Sequence, residues 1–386
     1  MKFRFKIKHI AIASANAAAL IAAAVMTAVG SSMAKSQEYN YAASEWGGKK
    51  GNYAQMSCFF AENSGFSTTS LNSVRSMILS ELQTVSVSPE EGKTLVPDAY
   101  SSPLGNCQIS SDINRHTSAE ITAVGGDFFL FRDFKLLDGA YFTKEDLMQD
   151  GAVIDKELAW MLYGSENIAG MDMYINGVKF YIAGVIGTPD TKPEKQCAGK
   201  TMRAYISYDM ADEVTRGSAG MGAAPFWGGN TAPETEAQPV SFAGITCYEC
   251  MLPNPVDSFA KNTMEKIFGQ QYAGKVDIVS NSSRFDSKKR AKAYKKLSRL
   301  VVQDNGIIYP YWENASRIVE YKLTRLYHGR KLILVIPILT LAWILLRLIF
   351  LWRRKKPKLK RYLSLKFDRL RYRIRGIFRR KKKEQE

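Results

Sequence analysis

The sequence predicts an α+β domain held outside a membrane between two spanning helices, with a basic tail behind the second. Three observations predict it. First, two apolar stretches, Ile10–Gly30 and Leu332–Trp352, are each about 20 residues long. A helix of that length, rising about 1.5 Å per residue, crosses a hydrocarbon core of about 30 Å. Second, the net charge of +17 is concentrated at the ends. Residues 353–386 carry 17 Lys/Arg against 3 Asp/Glu, four more cations lie in residues 1–8, and His9–Gly329 is acidic at −4. An acidic body with basic ends excludes a nucleic-acid groove and fits a protein with both termini in the cytoplasm. Third, between the spans, short alternating runs and 3.6-period segments are interleaved with turn signals, the mark of mixed strands and helices.

The second span is rich in Leu and Ile, has Trp343 and Trp352, and ends in Arg353, Arg354, Lys355 and Lys356. Those four cations are expected at the anionic inner membrane surface. The first span is Ala-rich. Ala11, Ala15, Ala19 and Ala23 recur every fourth residue, a small-residue face that lets another helix approach. An uncleaved helix is the reading taken. Its rival is a cleaved leader with Ser32 and Ala34 at the cleavage site, although the apolar run exceeds the roughly 7–15 residues of a leader.

Between the spans, Leu71, Val74, Ile78 and Leu82 have helical spacing, with Ser70 or Asn72 as the N-cap. "SAEITAVGGDFFLF" reads as a strand that turns at Gly125-Gly126. "DGAYFTKEDL" reads as a turn and a helix start, with Thr143 as N-cap and Asp146 three positions on. In "GAVIDKELAWMLYG", Ala152–Ile154 form a strand and Leu158, Met161 and Leu162 face inward on a helix that stops at Gly164. Asn176-Gly177 predicts a hairpin, and "MRAYISYDMADEV" a strand running into a helix. Gly217–Pro239 is expected to be a surface loop. A strand at "PVSFAGITCYECML", a helix at "VDSFAKNTMEKIFGQQY" and a short strand at "KVDIVSNSS" follow. Two helical segments, "KKRAKAYKKLSRLVV" and "WENASRIVEYKLTRLY", lead into the second span. In the tail, Leu363, Phe367, Leu370, Ile374 and Ile377 are spaced for an amphipathic helix on the inner leaflet; "LRYRIR" also alternates as a strand would, and an irregular basic anchor is a third reading.

The stretch Gly125–Gly187 resembles the MacB-like periplasmic core domain of MacB/FtsX-type permeases. The resemblance rests on an apolar-aromatic strand, a G-x-x-F turn at Gly139–Phe142, the strand–helix unit Ala152–Gly164, and a hairpin from Gly170 to Val185 closing in Ile-Ala-Gly-Val. It implies a two-lobed extracytoplasmic domain between two transmembrane helices. The segments are then a cytoplasmic N-terminus (1–9), helix 1 (10–30), the core domain (31–287), a helical stalk (288–331), helix 2 (332–352) and a basic cytoplasmic tail (353–386). It also implies dimerisation, homo- or heteromeric, and coupling to a cytoplasmic ABC ATPase. Permeases of this family have four membrane helices, three after the outer domain. One follows it here, so the expected role is a partner beside a multi-helix permease. The alternative is a membrane-anchored binding or regulatory protein acting alone, and a third is an extracytoplasmic thiol oxidoreductase.

The residues offer little chemistry. No G-x-x-x-x-G-K-[ST] phosphate loop is present, so any nucleotide is held by another chain, and no cofactor is expected. His116 stands alone in the outer region. Asp155 and Glu157 are read as helix-start acids facing the positive end of the helix dipole and not as a catalytic pair. Cys58, Cys107, Cys197, Cys247 and Cys250 permit disulfides or free thiols outside the cell. Cys247-x-x-Cys250 lies in a strand, whereas redox pairs of this spacing open a helix.

Overall fold

The computed structural model describes residues 7–37, 40–47, 52–89, 94–132, 134–189, 191–220, 244–297 and 306–383. The chain divides into two compact units. One comprises residues 1–28 and 328–386, and the other runs from Val29 to Tyr327.

The larger unit is built on a ten-stranded mixed sheet: β1 (Tyr53–Phe60), β2 (Asp98–Ser111), β3 (His116–Gly126), β4 (Leu136–Gly139), β5 (Gly151–Asp155), β6 (Asp172–Ile175), β7 (Val178–Ile186), β8 (Arg203–Ser207), β9 (Cys247–Pro253) and β10 (Val276–Ser280). The order is β10-β1-β9-β2-β3-β8-β5-β7-β4. β3–β8 and β5–β7 run parallel. β6 pairs with both β2 and β7, so the pairings β2-β3-β8-β5-β7-β6 close a ring. The two expected lobes therefore share one sheet.

Each face of the sheet has its own core. Strand alternation sends Ala152 and Ile154 to one face and Val153 to the other. The first face is covered by α3 (Thr68–Thr84), α5 (Lys156–Tyr163) and α8 (Phe259–Gln271). Leu71, Ile78 and Leu82, then Leu158 and Leu162, then Met264 and Phe268 enter that core. There Phe60 stacks on Phe66 at 4.3 Å, and Phe268 meets both edge-on. The second face carries the one-turn helix α4 (Phe128–Phe131), α2 (Ala42–Gly47) and the start of the last helix, α10 (Tyr311–Lys383). Phe128, Tyr205, Met251 and Trp312 form its core.

The strand–helix unit at Gly151–Gly164 matches its sequence pattern except at Met161, which is 51% exposed, while Leu158, Ala159 and Leu162 are the buried side of the helix. Asp155 caps α5 by accepting from the Leu158 N–H at 2.8 Å, and Gly164 ends it at φ +71°. The hairpin turns at Asn176-Gly177, both at positive φ.

Four expectations are corrected. The N-cap of α3 is Ser67, not Ser70 or Asn72, because the helix opens at Thr68 and Ser67 Oγ accepts the Ser70 N–H. No helix follows Thr143. Its N–H and hydroxyl both donate to the Asp146 carboxylate at 3.0 Å, and Gln149 donates to Thr143 and Asp146 carbonyls, closing the segment into a loop. Leu147, 99% exposed, gives a helix there no apolar face. Gly217–Gly220 belongs to helix α7 (Ala211–Gly220), which is held by buried Ala211 and Val214 and by Asn176 donating to the Val214 carbonyl; the rest of the expected loop, to Pro239, lies outside the described residues. Finally, the tail is helical where a strand was an open reading. α10 is one helix of 73 residues from Tyr311, so the alternating strand reading of "LRYRIR" falls. The segment read as its forerunner is α9 (Ser287–Ala293) with a 3-10 turn at Tyr294–Lys296.

The described residues contain two helices long and apolar enough to cross a membrane. α1 (Ile7–Lys35) contains an 18-residue window of mean hydropathy 1.9, and the Tyr311–Arg353 part of α10 contains one of 2.6. On α1, Ala19 and Ala23 are buried and Ala11 and Ala15 are exposed. Steps of four advance 400° around a helix of 3.6 residues per turn, so the stripe rotates by about 40° per step. Contact between α1 and α10 runs through Asn16, whose side-chain carbonyl accepts from Thr340 at 3.0 Å, and Thr27, which accepts from Arg330 at 3.0 Å.

Candidate functional site

The most heavily organised polar site is a buried charge junction between the sheet's second face and the first turns of α10. From the sheet, β9 supplies Glu249, β1 supplies Ser57 and β10 supplies Asp277. The 3-10 turn after β10 brings Asn281, and Arg284 follows it. From α10 come Glu313, Arg317 and Glu320, at i, i+4 and i+7, on one helix face.

These groups form a connected series. Arg132 pairs with Glu249, and its guanidinium lies 4.6 Å over the Trp312 ring. Glu249 accepts from Ser57 at 2.7 Å, and Ser57 accepts from Asn281 at 2.8 Å. Arg284 grips Glu313 with two bonds of 2.7 Å and reaches Glu320 at 2.9 Å. Arg290 also pairs with Glu320. Arg317 joins Glu313 to Asp277, both at 2.7 Å, and stacks 3.8 Å from the centre of the Tyr309 ring. Arg132, Arg284, Glu249 and Glu313 have at most 5% of their side chains exposed. Four arginines face four carboxylates, so the junction is neutral and each buried charge has a partner. That is the condition under which buried ions are tolerated. A polar cavity of about 380 Å³ opens beside it, lined by Asp277, Arg284, Arg290, Arg317 and Glu320.

A second polar site surrounds Asp155. Its other carboxylate oxygen accepts the Arg203 N–H at 2.7 Å. A cleft of about 110 Å³ lies there, lined by Lys135, Glu194, Tyr205 and Tyr311 among others. Burial, against the two backbone donors, pushes the Asp155 carboxyl up to about 6. The unfolded carboxyl titrates near 3.8, so between these values the folded state holds the extra proton, and stability falls as pH rises from about 4 through about 6. The loss is expected to be roughly 2–3 kcal/mol. Unfolding measured across that range should show a flatter pH slope for Asp155→Asn than for the wild type.

The sequence-selected residues are dispersed. His116 is exposed and its ring meets the Asn114 side chain at 3.0 Å, and Glu157 is exposed in the first turn of α5. All five cysteines are free thiols. Cys58, Cys107 and Cys250 lie in the first-face core and Cys247 in a small cluster on the other side of the sheet. A three-residue step along a strand reverses the face, so Cys247 and Cys250 point apart. Burial pushes the thiols of Cys58, Cys247 and Cys250 well up and that of Cys107 to about 11, the reverse of a reactive thiolate. Arg353, Arg354, Lys355 and Lys356 follow the second span within α10, with Arg353 exposed. Among the described residues no cluster of His, Cys, Asp and Glu has the geometry to hold a metal. The junction was missed because Glu313, Arg317 and Glu320 have the spacing of a solvated helix face. The one available signal was the charge density of α10 before its apolar stretch.

The profile of the MacB-like periplasmic core domain matches residues 10–232. The chain belongs to that family. The macrolide export ATP-binding/permease protein MacB of Pasteurella multocida (strain Pm70) is 34% identical over 98 residues, which cover 24% of this chain and 15% of that protein. The chain thus spans a small part of that relative's length. Among solved structures, the periplasmic region of MacB from Actinobacillus actinomycetemcomitans has 17% identity and a TM-score of 0.36, covering 61% of this chain and 92% of that one. The extracellular domain of the noncanonic ABC-type transporter YknZ from Gram-positive bacteria has 13% identity and a TM-score of 0.34, covering 59% and 100%. The MacB-like match ends before β9, so Glu249, Arg284 and the α10 acids of the junction all lie beyond it.

Proposed function

We propose that the chain is a non-enzymatic membrane subunit of a MacB/FtsX-type transport or mechanotransmission assembly. Both termini lie in the cytoplasm and residues of about 31–330 stand outside. Nucleotide hydrolysis takes place on a separate cytoplasmic ABC ATPase, and a multi-helix permease subunit completes the membrane part, with this chain as one half of a homo- or heterodimer. The observation that carries this reading is the junction itself: the helix bearing Glu313, Arg317 and Glu320 continues without a break through the apolar stretch into the basic segment. Such a helix passes axial or rotational movement to whatever it is locked to, and a buried, multiply bonded neutral network is a stiff lock. Family membership supports the same reading. Arg353–Lys356 hold the inner end at anionic headgroups, and Ala19 and Ala23 lie on the packing face of the first span.

The test is purification of the chain from native membranes in mild detergent after crosslinking. An ABC ATPase and a multi-helix permease are expected among the recovered partners. Reproducible recovery without either would overturn the subunit reading in favour of a membrane-anchored binding protein that acts alone.

A further inference from the structure

The segment after β10 is a concentrated run of positive charge in the compact unit: residues 287–296 read "SKKRAKAYKK", six cations and no acid. Its two sides differ. Phe285 and Ala291 are buried with Val319, Leu323 and Tyr327 of α10, and Met33 and Ala34 of α1 pack against the same cluster. Arg290 turns inward to Glu320. On the other side Lys288, Lys289, Lys292 and Lys295 are exposed, with Tyr294 at 41% exposure among them. Lys289 reaches the Ser283 hydroxyl. Among the described residues, no carboxylate pairs with Lys288, Lys292 or Lys295.

The place of this segment along the chain gives the charge a meaning. Its packing partners are the last residues before one apolar stretch and the first after the other. Tyr327 precedes Leu332 by five residues, and Met33 follows Gly30 by three. Five residues of helix rise about 7–8 Å, within the roughly 8 Å over which charge is felt at physiological salt. Lysines on a segment packed against residues this near in sequence to both stretches, with a tyrosine among them, have the composition of a membrane-interface anchor.

We propose that the exposed side of α9 and the 3-10 turn after it, formed by Lys288, Lys289, Lys292 and Lys295 with Tyr294, binds anionic phospholipid headgroups at the outer surface of the membrane. This rests on the reading of the two apolar stretches as membrane spans. The ammonium groups meet headgroup phosphates as point charges, each contributing roughly fivefold to surface partition near an anionic bilayer. α9 also carries Arg290 and follows directly on Arg284, so the lipid surface and the charge junction act on one short segment. Lipid composition thereby bears on how firmly the sheet is locked to α10.

The experiment uses the full chain in nanodiscs of phosphatidylcholine, with and without a third of phosphatidylglycerol, and follows hydrogen exchange of residues 287–296. Exchange is expected to slow several-fold in the anionic discs. The slowing should vanish in high salt and in the combined variant Lys288→Gln, Lys289→Gln, Lys292→Gln, Lys295→Gln. Unchanged exchange of β5 and β8 shows that this variant is folded. Equal exchange in both discs, or slowing that the variant retains, overturns the proposal. Slowing that requires added membrane-extract proteins, in neutral discs as well, assigns the face to an acidic protein and also overturns it. Failure of the chain to enter discs at all overturns instead the reading of the apolar stretches as spans, a result distinguishable from the other three.

Discussion

Arg284→Met is expected to lower the stability of the outer domain by about 3–5 kcal/mol, the cost of leaving buried charge uncompensated. For a domain of this size the loss corresponds to a fall in Tm of roughly 10 °C. Arg284 donates to both oxygens of Glu313 and to one of Glu320, and methionine fills the volume without replacing any of these bonds. Arg317 and Arg290 retain one contact to each acid, so the domain weakens without losing its fold. Arg284→Lys should fall between the two, because an ammonium is a single point charge where the guanidinium is a planar fork. Adding Glu313→Met to Arg284→Met should recover part of the loss, since removing both partners leaves less charge unpaired. Thermal unfolding of the four proteins in one detergent tests this. A loss below about 1 kcal/mol for Arg284→Met would mean that the junction is solvated and not the lock it is argued to be.

The second large effect is expected at Gly139, the first residue of the G-x-x-F turn. Its φ is +72°, and a Cβ there would lie 2.2 Å from the Ala183 carbonyl oxygen, 2.8 Å from Ala169 Cβ and 3.0 Å from Gly184 Cα. Two of these neighbours are backbone of β7, with which Gly139 pairs directly, so they cannot move aside without breaking the ladder. Gly139→Val therefore combines the left-handed backbone cost of about 1–2 kcal/mol with overpacking of about 1–3 kcal/mol, a total of roughly 2–5 kcal/mol. Gly170 is the control. Its φ is +86°, but nothing lies within 4 Å of its would-be Cβ, so Gly170→Ala should cost only the backbone part, about 1 kcal/mol. Equal losses at the two positions would show that close approach to β7 is not what requires glycine in this turn.

The strand–helix unit Gly151–Gly164 and the Asn176-Gly177 hairpin were legible because each is specified locally. A capping acid, a 3.6-residue apolar period, a left-handed glycine and a two-residue turn all act within a few residues. The 14-residue strand β2 was not legible. It holds Pro103, Gly105 and four serines, a composition poor in strand formers, and its pairing partners β3, β6 and β9 supply what it lacks. The helix expected after Thr143 failed for the opposite reason: the capping pattern was present, but no apolar face followed to bury.

The sequence by itself determined the two apolar stretches, the segregation of positive charge to the ends, and the likeness of Gly125–Gly187 to the MacB-like family. The first two follow from hydropathy and charge and the third from a local motif order, none of which needs knowledge of distant contacts. Only the tertiary structure decided that Cys247 and Cys250 face opposite sides of one strand. Only it brought Arg132, Glu249, Arg284, Glu313 and Glu320, separated by up to 188 residues, into one neutral buried network. A charged residue looks the same in sequence whether it is solvated or paired, and which of the two it is depends on partners that the sheet brings together.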